Sequence, residues 1–395
     1  MIEIWAGVGI FSTCKTSVHM NIYRMKSESG SSSAEEVFTG ARGRGVVKTA
    51  GNRFEKMRIE MDWGALEEAR ASDPDAESEV PLLRTMFYRD DSQSVISRND
   101  SPDLNFDASL NPYRGCEHGC AYCYARPYHE YLGFDAGLDF ESKIMVKERA
   151  AILLEKELSK PSWKPQVLVC SGATDCYQPV ERKLGITRAC LEVLAEFRNP
   201  VGIITKNHLV TRDIDHLASL AEHNAAFVHI SITSLDGDLA KILEPRASSP
   251  RARLRAIEEL SAAGIPVGVS AAPMIPGLND HEMPGILAAA KTAGAVAAFY
   301  TAVRLPHGVG EIFAQWLERH FPDRKDKVLG RIREMRGGKM NASGFGERMR
   351  GQGIVADEMK RMFDVQVRRL GLNLERPGLS TAEFRRPSGE QLAFW

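Results

Sequence analysis

Several features that would place a chain in a large class are missing from this sequence. It contains no apolar run near the roughly 18 residues of a membrane span, and residues 1–18 lack the basic start and long apolar core of a signal peptide. Cysteines are few and odd in number, seven in 395 residues, as expected where thiols stay reduced. These absences predict a cytoplasmic protein without a membrane segment.

Two further absences concern the fold and the surface. No G-x-G-x-x-G motif follows the first predicted strand, so a dinucleotide-binding fold has no positive support. The formal net charge of -1 argues against nucleic-acid binding by the entire surface. The charge is uneven, however, because residues 319–370 contain fourteen Lys or Arg and seven Asp or Glu. This segment suits contact with phosphates, and it equally suits an ordinary solvated helix face.

Three cysteines lie within eight residues, Cys116, Cys120 and Cys123 in RGCEHGCAYCYAR. An iron-sulfur cube normally takes four cysteine ligands, so three thiolates leave one iron open to a substrate or cofactor. A structural zinc site usually takes four protein ligands, and the fourth would come from His118, His129 or a distant residue, because no second C-x2-C exists. The spacing favours iron-sulfur, with zinc as the alternative.

The chain divides into three parts. Residues 1–80 are rich in Ser, Glu, Gly and Arg without apolar periodicity, which predicts a mostly disordered leader that includes GARGRGV. From about residue 104, β-branched apolar runs alternate with amphipathic helical stretches. Strands are predicted near 104–110 and at 166–170, 201–205, 227–233, 267–271 and 296–303. One intervening helix has Ser249 as its N-cap, Pro250 in its first turn and Gly264 at its exit.

This alternation predicts right-handed βαβ units and a parallel sheet covered by helices. The predicted fold class is α/β, a partial (β/α)6 barrel over residues 81–310 with a cluster loop at 114–126. Residues 311–395 are predicted to form a helical, basic C-terminal extension with an exposed tail. In a barrel the loops after the strands form the active face.

Polar residues follow the predicted strands in series. The second strand ends in CSGATDC (170–176), the third in TKNH (205–208), and the fourth carries His229, Ser231 and Thr233 ahead of Glu244-Pro245-Arg246. Because the carboxyl ends of parallel strands meet at one face, we expect these residues to converge on the mouth that holds the cysteine loop.

The cysteine loop, with Tyr122 directly before its third cysteine at the start of a barrel, resembles that of the radical S-adenosylmethionine (SAM) superfamily. Downstream, ITKNHLV, HISITS, LEPRASSPRARLRAI and AGIPVGVSAAPMI resemble, in order and spacing, the spore photoproduct lyase branch of that superfamily. The resemblance covers roughly residues 105–370.

The resemblance implies a radical SAM enzyme. The three cysteines would hold a 4Fe-4S cluster, and the open iron would bind S-adenosylmethionine. An external one-electron donor of flavodoxin or ferredoxin type would reduce the cluster, and cleavage of the cofactor would give a 5'-deoxyadenosyl radical that abstracts a substrate hydrogen. The expected substrate is DNA or RNA, in lesion repair or modification. The alternatives are a peptide or small metabolite, or a zinc or iron-sulfur module without catalysis.

The resemblance also implies roles for individual residues. Lys206 and Ser231 match positions that contact the carboxylate end of the cofactor, and the turn from Gly172 to Asp175 matches the position that receives its amino group. A carboxylate suits a cation and a hydroxyl, and an amine suits acceptors. The full set of predicted cofactor-binding residues is Gly172, Thr174, Asp175, Lys206, Ser231, Thr233 and Arg246.

A hydrogen-donor role is implied for Cys170, assisted by Tyr122 and Tyr124. In the lyase branch a cysteine at the end of the second strand returns a hydrogen atom to the product radical. The spacing departs from that pattern, because Cys170 stands five residues before Asp175 where the lyase has a shorter interval. Cys176 is therefore a rival candidate.

The chain ends in GEQLAFW, which resembles the Q-L-x-L-F peptide that docks bacterial repair proteins on the sliding clamp. The sliding clamp is accordingly a candidate partner. The alternative is that this tail folds back onto the barrel.

Overall fold

The computed structural model describes residues 44–46, 84–104, 106–170, 172–342, 344–374 and 378–387, together with the backbone of three strands nearer the start of the chain. The strands are β1 (Ile4–Trp5), β2 (Tyr23–Ser27), β3 (Met57–Met61), β4 (Met86–Arg89), β5 (Ile96–Arg98), β6 (Ala108–Leu110), β7 (Tyr113–Arg114), β8 (Lys143–Val146), β9 (Leu168–Cys170), β10 (Val201–Thr205), β11 (Ala226–Ser231), β12 (Val267–Met274) and β13 (Ala297–Ala302).

The helices follow the same order. They are α1 (Leu138–Ser142), α2 (Ala150–Leu158), α3 (Glu181–Leu184), α4 (Ile186–Phe197), α5 (Ile214–Ala221), α6 (Gly237–Leu243), α7 (Pro250–Ala262), α8 (Met283–Thr292), α9 (Val309–His320), α10 (Pro322–Glu334) and α11 (Gly353–Leu370). Short 3-10 helices lie at Arg126–Leu132, His208–Asp213 and Asp280–Glu282. Among the described residues, no helix is both long and apolar enough to cross a membrane.

A seven-stranded sheet forms the body of the fold, in the order β13-β12-β11-β10-β9-β6-β5. The six strands from β13 to β6 run parallel, and β5 pairs antiparallel with β6 at the edge. Helices connect the successive parallel strands and pack on the outer face. The predicted partial (β/α)6 barrel is confirmed.

The strand predictions agree with the structure to within a few residues. The strand predicted at 201–205 matches β10, whereas β11 ends at Ser231, two residues earlier than expected. The helix signals are also confirmed, since the Ser249 side chain accepts from Ala252 N at 3.3 Å and Gly264 has a φ of +75°. The strands could be predicted because buried and less buried side chains alternate along them. In β10, Val201 and Ile203 face the buried helix layer, whereas Gly202 and Ile204 do not.

A smaller sheet, in the order β1-β4-β8-β7, lies beside the cysteine loop. Its strands β4 and β8 are parallel, and β7 pairs antiparallel with β8. This sheet is not predicted from the sequence, because its strands are short and three of them contain arginine or lysine. It matters for the site because Cys116 N donates to Phe140 O at 2.9 Å, which ties the loop to α1 just ahead of β8.

The open seam of the barrel lies between its edge strands, β13 and β5, and residues 335–352 span it. On one side Ala302 N donates to Met349 O at 2.9 Å. On the other, Gly346 N donates to Asp103 Oδ1 at 2.6 Å, and the Arg348 guanidinium binds Asp103 and Ser101. Asp103 lies between β5 and β6, so this seam clasp, formed by Asp103, Gly346 and Arg348, joins the two edges.

The C-terminal part is helical, as predicted, and it packs back on the barrel. Helix α11 lies against α8, and the Asn373 side chain hydrogen-bonds both Ala298 N and Ala298 O on the edge strand β13. Beyond it, Ser380 N donates to Asn224 O and Arg385 N donates to Phe197 O, across the barrel end opposite the mouth.

The predicted clamp-binding tail and most of the predicted leader lie outside the described residues. The bounds of the three predicted domains remain predictions.

Candidate active site

The cysteine loop runs from β7 to the 3-10 helix that begins at Arg126, and two glycines shape it. Gly115 and Gly119 have φ values of +79° and +69°, a region that side chains rarely adopt. A Cβ on Gly119 would also lie 2.7 Å from Glu141 Oε2. The loop is therefore packed tightly against α1.

A buried ion pair holds the loop from below. Arg126 binds Glu141, and both side chains are fully buried. The same guanidinium donates twice to Cys120 O, at 2.9 and 2.8 Å, and to Gly137 O at 2.8 Å. Two donors of one planar group thus fix the backbone at the central cysteine, and the others tie it to α1 and the residues just before it.

Residues 44–46, which we call the N-terminal strap, dock on the outside of this loop. Gly45 N donates to Glu141 Oε2 at 3.1 Å, and Arg44 Nη1 donates to Glu141 O at 2.6 Å. A Cβ on Gly45 would lie only 1.5 Å from Gly119 O, so this position requires glycine. The strap belongs to the run GARGRGV, which was predicted to lie in a flexible leader. Its glycine- and arginine-rich composition is typical of disordered segments, so its packing role could not be predicted.

The three thiols have the character of cluster ligands. Cys116 and Cys120 are buried, Cys123 is partly exposed, and none forms a disulfide. Burial raises the pKa of the Cys116 thiol, and the Asp175 charge adds to the effect. Bound iron reverses such a shift, because a coordinating thiol is deprotonated.

The donor set fits a cube better than a single ion. In the described part of the chain, no three Cys, His, Asp or Glu side chains converge as ligands of one metal ion. A cube binds each thiolate on a different iron, so its ligands need not converge. Three thiols on one short loop thus fit the three-cysteine set that a cube with one open iron takes.

Glu244 is the polar centre beneath the mouth. It is fully buried, pairs with Arg253, and accepts from Thr233 Oγ1 at 2.5 Å and from the Tyr122 hydroxyl. Lys206 Nζ lies 3.7 Å away. Burial alone would raise the pKa of Glu244, but the charges of Arg253 and Lys206 and the two hydroxyl donors lower it to about 2. The sequence placed Glu244 at a strand end but gave no sign that four partners surround it.

Lys206 and Ser231 lie side by side at the carboxyl ends of neighbouring strands. The register pairs Thr205 with Ile230, so these two residues follow as the next neighbours. Lys206 Nζ contacts Ala272 O at 3.3 Å, and the third ammonium hydrogen has no partner among the described residues. Arg253 donates to Ser231 O at 3.1 Å and so fixes the serine backbone. The predicted cation and hydroxyl therefore lie together.

Asp175 has internal partners that the sequence did not reveal. Its carboxylate accepts from Tyr177 N at 2.9 Å, Thr205 Oγ1 at 2.7 Å and Lys206 N at 2.8 Å. It also lies 3.4 Å from the His118 imidazole, whose pKa is lowered by burial. The carboxylate thus joins the ends of β9 and β10 to the cysteine loop, with little capacity left for a ligand amine.

The other predicted residues divide between the mouth and the framework. Gly172 lies close to the lumen, since a Cβ there would meet Ser109 Oγ at 3.1 Å, and Gly172 O accepts from Tyr124 at 2.9 Å. Thr174 Oγ1 is bound to Tyr113 O, and Thr233 to Glu244.

Arg246 turns away from the mouth. Its guanidinium lies 3.1 Å from Glu117 Oε1 and 3.2 Å from Thr85 Oγ1. Glu117 in turn accepts from Val180 N at 2.7 Å. Arg246 therefore supports the outer side of the cysteine loop.

Cys170 faces the helix layer rather than the lumen. It pairs in register with Leu110 and Ile203, which belong to the buried layer between sheet and helices. Cys170 also raises the pKa of Cys190 on α4, after the larger effect of burial, which places the two sulfurs near each other. Cys176 is fully buried in the same layer. Strand alternation turns Cys170 away from a molecule in the lumen, and Cys176, which lies in the turn after the strand, is buried in the same layer.

Comparison with known proteins agrees with this geometry. The family model described as the Radical SAM superfamily matches residues 110–290. An uncharacterized protein of Mycobacterium tuberculosis is 34% identical over 234 residues, which cover 59% of this chain and 68% of the relative. The chain belongs to the radical SAM superfamily. An uncharacterized protein of Methanocaldococcus jannaschii is 30% identical to this radical SAM enzyme over 173 residues, 44% of the chain and 62% of the relative.

The fold also resembles that of a solved structure. Spore photoproduct lyase with bound AdoMet and dinucleoside spore photoproduct superposes with a TM-score of 0.50 at 16% identity, covering 69% of this chain and 77% of the lyase chain. At that identity the likeness concerns the fold.

The strap yields a first prediction. Gly45→Ala forces a side chain into the backbone of Gly119, so we expect the strap to undock and the free energy of unfolding to fall by about 1–3 kcal/mol. Amide hydrogen exchange over residues 115–123 should accelerate, as measured by mass spectrometry. Gly330→Ala is the matched control, because a Cβ there meets open space. Unchanged exchange in the Gly45 variant would contradict the packing role of the strap.

A second prediction concerns Glu244. Glu244→Gln leaves two cations without their buried counter-charge, so we expect a loss of about 3–5 kcal/mol near neutral pH. Because the folded pKa is lowered, the charged form of Glu244 stabilises the native state above its unfolded pKa. About 3 kcal/mol of that stability is lost as pH falls from about 4.5 to about 2.

The difference in the free energy of unfolding between the native protein and the Glu244→Gln variant should therefore become smaller in acid. Urea unfolding at neutral pH and at about pH 3 measures it. The exposed Glu334→Gln on α10 serves as the control and should show no such convergence. A gap that stays constant across this window would show that Glu244 is not held ionised by its neighbours.

Proposed function

We propose that this radical SAM enzyme binds a 4Fe-4S cluster through Cys116, Cys120 and Cys123 and abstracts a hydrogen atom from a nucleic-acid substrate. The observation that carries the proposal is the meeting at one barrel mouth of a buried three-thiol loop with a lysine and a serine on adjacent strand ends. The bound cluster and S-adenosylmethionine would supply the radical chemistry. The chain's own residues would bind and orient the cofactor and cover the cysteine loop.

Lys206 and Ser231 are the proposed ligands of the cofactor carboxylate, with Gly172 beside its amino end. Lys206 contributes the positive charge, and its position is fixed by Ala272 O and by the Glu244 carboxylate. The Glu244 carboxylate lies 3.7 Å from Lys206 Nζ and keeps the ammonium in place before a second anion arrives. The ion pairs beneath the mouth thus prepare the cation for a carboxylate.

Asp175 and the strap support the site without contacting the cofactor. Asp175 holds Lys206 N and His118 together, which sets the distance between the strand ends and the cysteine loop. The strap covers the loop on its outer side, where Gly45 lies against Gly119. Together they hold the loop in place and cover its outer side, and Cys116 and Cys120 are buried there.

A nucleic-acid substrate is supported by the charge of the C-terminal part. Residues 319–370 carry an excess of seven positive charges, and part of this segment spans the seam beside the mouth. A phosphate backbone is the ligand that such a basic segment binds most readily. An external one-electron donor of flavodoxin or ferredoxin type completes the proposed reaction, and the sliding clamp remains a proposed partner of the C-terminal tail.

The cysteine triplet supplies the deciding experiment. Anaerobically purified protein should be brown and contain about four irons per chain. Replacing any of the three cysteines with alanine should remove most of the iron and abolish formation of 5'-deoxyadenosine. Cys190→Ala, another buried free cysteine, should keep both. Zinc without iron in the native protein would refute the proposal.

Cys170 gives a separate prediction. Since its side chain faces α4, we expect Cys170→Ala to keep the product distribution and to lower stability by about 1–2 kcal/mol through a small cavity. Product analysis by mass spectrometry and urea unfolding check the two parts. A changed product distribution at unchanged stability would restore the hydrogen-donor role that the sequence suggested.

A further inference from the structure

One cation at the barrel mouth, Arg304, forms no close ion pair with any carboxylate among the described residues. Arg304 follows β13, and its guanidinium carbon lies 5.4 Å from the ring centre of Tyr124. Tyr124 directly follows Cys123 and donates to Gly172 O at the end of β9. Arg304 therefore lies where the open seam meets the cysteine loop.

The guanidinium of Arg304 lacks an oxygen acceptor in the described part of the chain. The partner of Nη1 is Met349 Sδ at 3.5 Å, and a thioether is a weak acceptor. Its Nε is buried without a hydrogen bond, and no described carboxylate forms an ion pair with it. An arginine normally satisfies several of its five donors when it is removed from water. The side chain thus has donors free for an acceptor that the described residues do not provide.

The arginines near Arg304 do have hydrogen-bond acceptors. The surroundings of Arg304 therefore contain acceptors, but these are bound to other side chains. Arg336 donates to Val303 O at 2.7 Å, to Arg348 O at 2.9 Å and to Glu347 O at 3.0 Å. Arg348 binds Asp103, whose other oxygen accepts from Gly346 N. The nearby carboxylate is therefore already occupied, and the local charge around Arg304 is positive.

An exposed tyrosine ring lies near the same position. Tyr128 is 55% exposed, and it is close enough to Arg304 to act on the charge of the guanidinium. The rings of Tyr124 and Phe345 are exposed as well, but each already has an arginine over it, Arg304 and Arg348 respectively. A positive centre beside an open aromatic ring suits a ligand with an oxyanion and a planar ring. Nucleobases stack on such faces, whereas a simple carboxylate has no use for them.

We propose that Arg304 binds a phosphate group of a nucleotide whose base stacks on the exposed ring of Tyr128. The phosphate oxygens take the free Nε and Nη donors of the guanidinium in a charge-assisted pair. The proposal rests on the proposed function in one respect, since it specifies the substrate class of the same mouth. A free nucleotide and a nucleic-acid strand both carry the phosphate group and the base that this site would bind.

The test is a binding measurement with the full-length, cofactor-loaded enzyme under anaerobic conditions. The probes are 5'-CMP, cytidine as its phosphate-free counterpart, and a short fluorescein-labelled single-stranded oligonucleotide. We expect Arg304→Gln to weaken binding of both phosphate-containing probes about 10- to 100-fold and to leave the affinity for cytidine unchanged. The dependence of oligonucleotide affinity on salt should fall by about one phosphate contact.

Three matched variants make the result specific. Arg361→Gln removes an exposed charge of the same basic segment on α11 and should change affinity less than about twofold. Arg304→Lys keeps the charge but not the planar fork, so it should recover part of the phosphate affinity. Tyr128→Ala removes a ring that lies largely in solvent, and it should weaken cytidine and 5'-CMP alike.

Several outcomes would overturn the inference. Equal binding of 5'-CMP by the native protein and Arg304→Gln would do so, as would equal losses for cytidine and 5'-CMP in a folded variant. An acidic peptide that binds in an Arg304-dependent manner, while both nucleotide probes do not, would replace the proposed ligand. If Arg304→Gln fails to fold, Arg304→Lys and Tyr128→Ala still decide the question.

The binding assay is separable from the proposed function. Iron content and 5'-deoxyadenosine formation in the native protein test the cluster and its chemistry. Arg304-dependent phosphate binding without either would refute the proposed reaction while leaving the nucleotide site in place. Tighter binding of the oligonucleotide than of 5'-CMP identifies a strand as the source, and comparable binding identifies a free nucleotide.

Discussion

The buried carboxylate of Glu244 is the interaction on which the mouth of the barrel depends. Its neighbours come from the cysteine loop through Tyr122, from the end of β10 through Lys206, and from α7 through Arg253. A carboxylate in this position is costly to bury, and only several donors at once compensate for that cost. Since the donors belong to different elements, satisfying the charge also fixes the elements relative to one another. Stability and site geometry therefore have a common origin here.

Much of the fold follows from patterns that act locally. Alternating apolar residues define β10, and Ser249 with Pro250 starts α7, because strand pleat and helix capping each operate within a few residues. Three thiols in one short loop are local as well. Lys206 and Ser231 lie together because barrel strands end at a common face.

The remaining features depend on pairings distant in sequence. The contact between Gly45 and Glu141, the clasp from Arg348 to Asp103 and the unpaired state of Arg304 are properties of pairs or surroundings, so no single segment encodes them visibly. Cys170 shows the reverse error. It stands at a strand end, as a hydrogen donor should, but its side chain has the parity of the helix face. Position along the chain suggested proximity, and strand alternation decided direction.

The strap has a consequence for the order in which the protein assembles. Gly45 and Glu141 are 96 residues apart, whereas the cysteines and their supporting arginine lie within one short stretch. Local contacts form early, and contacts that close long loops form late. The thiol loop can therefore fold while its outer side is still open. Docking of Gly45 against Gly119 and Glu141 then closes that side as a late step of folding.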